Sequence, residues 1–306
     1  MTTGLRHALE DYLRIRRALG FQLDEPARLL PQFLAGLERD GADRISVDAA
    51  LRFATEPAGA HPVNWWLRLN AVRGFAKYLH ALDPTIEVPP PRLLPRPRCR
   101  AVPYLYTDRE VFAVLAAAGR LQPPPRAATY QTAIGLLAAS GMRVSEVVHL
   151  RSDDLDAPHR LLTILHSKRG SSRIIPLHPT TVAALAAYAR QRDRLRPISG
   201  TFFVSTTRLA LRPGDVSDVF RTLVRTVGLV ARSPGCRPRL HDLRHSFAVH
   251  TLLDWYAAGL DVQARLPLLS AYLGHVSPAD TYWYLSAAPE LMALAAARRQ
   301  NWQERS

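Results

Sequence analysis

Apolar residues recur at helical spacing in the first third of the chain, most clearly between residues 64 and 81. They alternate at intervals of four and three, at Trp65, Leu69, Val72, Ala76 and Leu79. This stripe predicts an amphipathic helix whose apolar side packs in a core. Arg73, Lys77 and His80 fall together on another face, which is available either to solvent or to phosphate groups.

Further helices are predicted after residue 106. Thr107 and Glu110 have the spacing of a capping box, in which each side chain bonds to a backbone N–H of the first helical turn. A second helix covers about residues 127–139 and leads through a glycine to Arg143, at the start of a third. Because Glu146 follows Arg143 by three positions, we expect its carboxylate to hold the guanidinium in place.

Two runs rich in leucine and isoleucine, residues 161–165 and 173–177, have the composition of strands. The polar segment between them, which includes Lys168 and Gly170, reads as a hairpin turn. The chain is therefore predicted to be mainly α-helical with a small antiparallel β-sheet.

A proline-rich segment divides the chain. Seven prolines stand between Asp83 and Tyr104, interleaved with Arg92, Arg96, Arg98 and Arg100. Such a composition cannot continue a helix and favours an extended connector. We expect an N-terminal helical domain over residues 1–84, a linker over 85–103 and a second domain over 104–306. The linker is either a plain spacer or a basic strap across a nucleic-acid backbone.

Composition agrees with a polyanionic partner without naming one. The 306 residues include 40 Lys and Arg against 26 Asp and Glu, a formal net charge of +14, which attracts backbone phosphates but also arises from an arginine-rich coding bias. Cys99 and Cys236 are too few for a disulfide framework or a metal cluster. No stretch is apolar for long enough to cross a bilayer, and a cytoplasmic location is expected.

Candidate chemistry lies in the second domain. Arg143, His241, Arg244, His275 and Tyr284 combine two guanidinium groups, two imidazoles and a phenol. A phosphodiester under attack gathers negative charge on its nonbridging oxygens, which guanidinium and imidazole donors match. The phenol supplies a nucleophile.

The order and spacing of these residues resemble the tyrosine recombinase, or phage integrase, family over about residues 105–290. Members carry an arginine, a lysine, a His-x-x-Arg pair, a His or Trp, and then a tyrosine. The family places its lysine in a hairpin turn eight residues before a Pro-Leu pair. Here that position is Lys168, eight before Pro176, and Tyr284 lies nine after His275 as the family requires.

The resemblance implies a catalytic set of Arg143, Lys168, His241, Arg244, His275 and Tyr284, with Glu146 in support. It implies DNA cleavage and rejoining through a 3′-phosphotyrosine, with no cofactor and no metal. An N-terminal helical bundle of the core-binding, SAM-like kind and an integrase-type catalytic domain would form a clamp around DNA. The basic residues expected to contact DNA are Arg73, Lys77, Arg92, Arg96, Arg98 and Arg100.

The implied partners are double-stranded DNA carrying specific sites and further copies of the chain, four on two duplexes, alone or with other recombinases. No membrane partner is implied. The implied role is integration, excision or transposition of a mobile element. Alternatives are a catalytically weak DNA-binding accessory protein, and a type IB topoisomerase or telomere resolvase. A tail helix opening at Pro289 is expected to dock on a neighbouring protomer or to fold back on its own domain.

Two local alternatives stay open. His241 and His245 are four apart on a predicted helix and have the spacing of two metal ligands, although no third ligand is signalled and Arg244 between them would repel a cation. We expect His245 to be a packed residue. Tyr282 competes with Tyr284 as nucleophile, but the aromatic run there favours packing for Tyr282.

Overall fold

The computed structural model describes residues 2–56, 59–94, 102–165, 172–275, 281–282 and 284. The chain forms two compact units, Met1–Arg100 and Ala101–Ser306. The described residues are mainly helical with one small antiparallel sheet, which confirms the predicted fold class.

The described part of the first unit is built from helices α1 (Thr2–Ala18), α2 (Asp24–Arg39), α3 (Val47–Thr55) and α4 (Pro62–His80). Helix α4 confirms the helix predicted over residues 64–81. It begins two residues early because His61 caps it and Pro62 stands in the first turn, where a missing N–H costs nothing. Its residues Leu69, Val72 and Ala76 are buried in the core of the unit, as the apolar stripe indicates.

The basic face of α4 binds the chain that follows it. Arg73 donates from Nε to the carbonyl of Pro89 and from Nη2 to that of Pro90, both at 2.8 Å. The His80 ring is bonded to the carbonyl of Ile86 at 2.7 Å, and Ile86 is buried in the core. The proline-rich segment therefore packs on the first unit beyond residue 84, since Arg73 and His80 of α4 bind its carbonyl groups.

The second unit opens with helices α5 (Asp108–Ala118), α6 (Pro124–Ser140) and α7 (Val144–His149). The capping box of α5 is confirmed: Thr107 N donates to Glu110 Oε2 at 2.8 Å and Glu110 N donates to Thr107 Oγ1 at 3.3 Å. Helix α6 starts before the predicted residue 127 because prolines occupy its first turn. Arg143 is the extended N-cap residue of α7.

A short 3-10 turn, Ser152–Asp154, leads into a sheet of strands β1 (Leu155–Asp156), β2 (Leu161–Ile164) and β3 (Arg173–Pro176). The strands pair antiparallel in the order β1-β2-β3, with Leu162 opposite Ile175, and both of these side chains are buried. The predicted antiparallel pairing of β2 and β3 is confirmed, each strand ending one residue early, and the turn between them lies outside the described residues. Strand β1 was not predicted because two residues are too few to show alternation.

Helices α8 (Pro179–Asp193), α9 (Pro213–Thr226), α10 (Asp242–Ala257) and α11 (Val262–Leu273) complete the elements with described bounds. Helix α6 packs against α5, α8 and α10, so it forms the centre of the unit. Helices α10 and α11 share a smaller apolar cluster, in which Tyr284 is buried. The nucleophile candidate is therefore placed beside the two helices that carry the His-x-x-Arg pair and lead to His275.

Lys168, the linker residues Arg96, Arg98 and Arg100, and the tail from residue 285 onward lie outside the described residues. Among the helices that the structure describes, none combines the length and the apolarity of a membrane span.

Candidate active site

A glycine turn between α6 and α7 starts the site. Gly141 has a φ of +60°, and a Cβ atom there would lie 2.6 Å from Cδ1 of Phe247. Only glycine fits both the left-handed backbone and this close approach. The turn ends α6, brings Arg143 to the start of α7 and directs the Gly141 carbonyl toward Arg244, which donates to it from Nη1 at 2.8 Å.

Glu146 is the buried anion of the site. Its Oε1 accepts from Arg143 Nη1 at 2.9 Å, and its Oε2 accepts from the backbone N of Arg143 at 2.9 Å. The predicted support of Arg143 by Glu146 is present in this geometry. The carboxylate bonds both to the guanidinium and to the backbone N–H that begins α7.

Arg173 is a site residue that the sequence analysis missed. From β3 it donates two hydrogen bonds to Glu146, Nη1 to Oε1 at 3.0 Å and Nη2 to Oε2 at 2.8 Å. A signal existed: side chains two apart on a strand share a face, so Arg173 accompanies the buried Ile175 inward. An arginine on the core side of a strand needs an acid partner, and the sequence does not tell which acid that is.

Three consecutive carbonyl groups at the end of α11 each accept a hydrogen bond from a different arginine. Arg173 Nε donates to the carbonyl of residue 272 at 2.8 Å, Arg244 Nη2 to that of residue 273 at 2.7 Å, and Arg143 Nη2 to that of residue 274 at 3.1 Å. The last carbonyls of a helix lack partners within it and carry partial negative charge. The three guanidinium groups supply the missing hydrogen bonds and the opposite charge. They thereby fix the position of the residue that follows, His275.

Arg244 lies on α10 with 2 % of its surface exposed. Burial and the positive charge of Arg143 lower its pKa to about 10, while Tyr284 and Glu146 act in the opposite direction. The guanidinium therefore stays charged at neutral pH, at a cost that a bound anion would reduce.

His241 stands at the first position before α10, next to the buried Asp242. Asp242 accepts three hydrogen bonds from Arg239, which hold the start of the helix. The protein packed around the His241 ring, and then the charge of Arg244, lower the pKa of His241. A neutral imidazole has one N–H to donate and one nitrogen to accept.

His275 directly follows the end of α11. Its Nδ1 lies 2.7 Å from Oγ1 of the buried Thr281, and its ring stacks on that of Tyr284 with centres 5.8 Å apart. His245 meets the same phenol ring edge-on at 5.4 Å, and the rings of His241 and His245 are 4.9 Å apart. One imidazole from α10 and one that follows α11 thus contact the buried phenol ring.

The two candidate tyrosines differ in their surroundings. Tyr284 is 3 % exposed and contacts His275 and His245, whereas Tyr282 is 54 % exposed. The aromatic run predicts that Tyr282 packs, and its exposure contradicts that prediction. Its position on the outer side of the segment explains the exposure, since side chains two apart on a helix do not face each other.

The metal interpretation of His241 and His245 finds no support in the described part of the chain, where no group of three His, Cys, Asp or Glu side chains could hold an ion. The described residues bring together Arg143, Glu146, His241, Arg244, His275 and Tyr284, and add Arg173. Of the residues expected to contact DNA, Lys77 and Arg92 are exposed on the first unit, and Arg73 holds Pro89 and Pro90.

Comparisons with known proteins agree on one family. The model of the phage integrase family matches residues 106–290. The protein y4rB of Sinorhizobium fredii, named as an integrase/recombinase, is 41% identical over 313 residues, covering 98% of this chain and 99% of y4rB. The tyrosine recombinase XerC of Mycobacterium leprae is 31% identical over 273 residues, covering 85% of this chain and 86% of XerC.

A solved structure shares the fold. The Tn1549 transposon integrase, in complex with transposon right end DNA, matches with a TM-score of 0.64 and 18% identity. The match covers 96% of this chain and 99% of that one.

The buried ion pairs of Glu146 predict how stability depends on pH. Burial alone would raise the pKa of Glu146, but the hydrogen bonds and charges of Arg173 and Arg143 outweigh it and lower the pKa. The carboxylate therefore contributes stability that is full above its unfolded pKa, about 4.3, and is lost as pH falls through the lower folded value. Glu146→Gln should cost about 3 kcal/mol at pH 7, because it leaves two partly buried guanidinium groups without their anion.

Chemical denaturation of both proteins between pH 3 and 7 measures this difference, which should be constant above about pH 5 and shrink below it. Asp215→Asn is the matched control, since Asp215 forms a two-point pair with Arg212 at the surface of the same unit. Its effect should be much smaller. A Glu146→Gln effect that does not change with pH would contradict the assignment of Glu146 as the buried anion.

Proposed function

We propose that this chain, which belongs to the phage integrase family and is a tyrosine recombinase, cuts and rejoins specific DNA sites through a covalent bond between Tyr284 and a 3′ phosphate. The observation that carries the proposal is the buried Tyr284 phenol, which interacts with the charge of Arg244 and stacks on His275. A phenol held among cationic and imidazole donors is suited to attack a phosphodiester.

The phosphate would be held by Arg143 and Arg244. Each has a second role in the protein, a bond to a carbonyl at the end of α11, and so each is fixed before DNA arrives. A guanidinium has five N–H donors, so both arginines keep donors for the nonbridging oxygens. His241 and His275 would add hydrogen bonds to the same oxygens.

The bonds exchanged in the reaction balance without a cofactor. The Tyr284 phenol releases its proton to water, its oxygen forms a bond to phosphorus, and the bond to the 5′ oxygen breaks. The 5′ oxygen takes a proton for which Lys168 is the proposed donor. The phosphotyrosyl ester keeps the bond energy, so a 5′ hydroxyl of another strand can displace the tyrosine. Neither a nucleoside triphosphate nor a divalent metal is needed for this sequence.

The proposed partner is double-stranded DNA that carries two recombination sites, with four copies of the chain exchanging strands on two duplexes, alone or with other recombinases. The net charge of +14 supports DNA binding through phosphates. On the first unit, Lys77 and Arg92 are the described candidates for phosphate contacts, and Arg96, Arg98 and Arg100 are candidates in the linker. Arg73 would act chiefly by holding the segment that leads to them.

We further propose that the DNA exchanged belongs to a mobile element. The names of y4rB, an integrase/recombinase, and of the Tn1549 transposon integrase support this role. A type IB topoisomerase would use similar groups, but the match over nearly the whole length of y4rB favours recombination. A weak accessory protein is disfavoured because the described members of the proposed catalytic set are all present and lie together.

Replacing the proposed nucleophile should abolish covalent chemistry. Tyr284→Phe removes the attacking oxygen and keeps the ring, so packing against His275 is preserved. On a nicked duplex of the recombination site, recovered by selection from random duplexes, the parent protein should form a covalent DNA adduct on a denaturing gel and Tyr284→Phe should form none. The matched control, Tyr282→Phe, should form the adduct at the parent rate. The reverse pattern would show that Tyr282 is the nucleophile.

Arginine-to-lysine changes should separate cleavage from binding. Arg143→Lys and Arg244→Lys keep the charge but lose the planar fork, so gel-shift affinity at low salt should change little while the adduct rate falls about 100- to 1,000-fold. Equal losses of affinity and rate would indicate that these residues only contact the DNA backbone.

The parent should remain fully active in excess chelator. A dependence of the adduct rate on metal would restore the interpretation of His241 and His245 as metal ligands.

A further inference from the structure

Arg173 binds the protein with every nitrogen of its guanidinium group. Nη1 and Nη2 bind the two oxygens of Glu146, and Nε binds the carbonyl of residue 272 at 2.8 Å. Its neighbours differ: within the described residues, the Nε atoms of Arg143 and Arg244 have no hydrogen-bond acceptor. Arg143 and Arg244 therefore each keep an Nε donor without an acceptor among the described residues, whereas all three nitrogens of Arg173 bind the protein.

The packing around Arg173 is close. Gly274 has a φ of +66°, and a Cβ atom at that position would lie 2.7 Å from Nη1 of Arg173. The guanidinium thus occupies the space beside the turn that ends α11, and the glycine leaves room for it. Arg173 joins three elements in this way: β3, which carries it, α7 through Glu146, and the end of α11.

Charge gives Arg173 a second effect. Glu146 is a full negative charge beside Arg143, and alone it would neutralise the guanidinium that is proposed to bind phosphate. With Arg173 on the other side of the carboxylate, the negative charge is shared. Positive charge then remains in excess at Arg143 and Arg244 for the phosphate.

We propose that Arg173 is a positioning residue for the recombination reaction. By binding Glu146 and the end of α11, it fixes the positions of Arg143 and His275, and it leaves positive charge on Arg143 available to the phosphate. This inference rests on the proposed function, since it assigns a role in the same reaction. Arg173 touches no reacting atom in it. Its loss should slow the reaction and leave the binding of DNA nearly unchanged.

Arg173→Gln and Arg173→Lys test the proposal in single-turnover reactions on the nicked duplex. Both should bind the duplex within about twofold of the parent, since phosphate contacts are kept. The adduct rate should fall about 10- to 100-fold, the usual cost of losing a group that orients a reacting one. An unchanged rate in both variants would overturn the proposal.

A pH profile separates positioning from a general loss of structure. The charged groups that face Glu146 within the described residues are Arg143, Arg173 and Arg244. Removing Arg173 takes away the largest influence that lowers the pKa of Glu146, so the carboxylate will protonate at a higher pH. The acid limb of the pH–rate profile should move upward in Arg173→Gln and less in Arg173→Lys. An acid limb that does not move would overturn the electrostatic part of the proposal.

The chain offers a matched control in Arg192. This buried arginine also uses all three nitrogens, two on Asp193 and one on the carbonyl of Phe202, but it belongs to α8. Arg192→Gln should lower the unfolding temperature and leave the acid limb and the adduct rate of the folded protein unchanged. An equal change of rate in both variants would show that Arg173 acts only through stability.

A double variant keeps the test decisive if Arg173→Gln folds poorly. Glu146→Gln with Arg173→Gln removes the buried carboxylate together with its partner, so the combined rate loss should be smaller than the product of the two single losses. Losses that multiply would show that the two residues act separately.

If the parent itself forms no adduct, the proposed function fails. The Arg173–Glu146 pair is still tested in that case by the pH dependence of unfolding in Arg173→Lys.

Discussion

The site depends on one constraint, the burial of three guanidinium groups around a single carboxylate and the end of one helix. Arg143, Arg173 and Arg244 come from different elements, and each reaches a different carbonyl at the end of α11. Glu146 supplies a full negative charge and the carbonyls supply partial ones. The second unit must bring α7, β3, α10 and α11 together to satisfy these cations.

Because three guanidinium groups surround a single carboxylate, the cluster carries a net positive charge. Burial and the charge of Arg143 lower the pKa of Arg244, which measures the cost of holding these cations together. A phosphodiester would supply the missing anion between Arg143 and Arg244. Positive charge that costs free energy in the free protein would then contribute to binding, because the cations are already in place before a phosphate binds.

The sequence predicted the parts of this site that depend on local spacing. Glu146 follows Arg143 by three positions on a predicted helix, and the resemblance to the tyrosine recombinase family identified His241, Arg244, His275 and Tyr284 by their spacing. Arg173 was missed because its partner lies 27 residues away on another element, and strand periodicity indicates only that it faces inward.

The basic face of α4 could not be interpreted from the sequence for a related reason, since its partners come from a later segment. The stripe of Arg73, Lys77 and His80 predicts an exposed face, but Arg73 and His80 bind carbonyl groups of the chain that follows.

In the proposed reaction Arg143 and Arg244 bind the phosphate, and Arg173 holds Glu146 and the end of α11 without touching the phosphate. The most direct measurement is a crystal structure of the Tyr284→Phe protein on an uncleaved duplex of its recombination site. The nonbridging oxygens of the scissile phosphate should lie about 2.7–2.9 Å from nitrogens of Arg143 and Arg244, the distance of charge-assisted hydrogen bonds. Arg173 should keep its bonds to Glu146 and to the end of α11. A phosphate bound by Arg173, or one out of contact with Arg143 and Arg244, would overturn these roles.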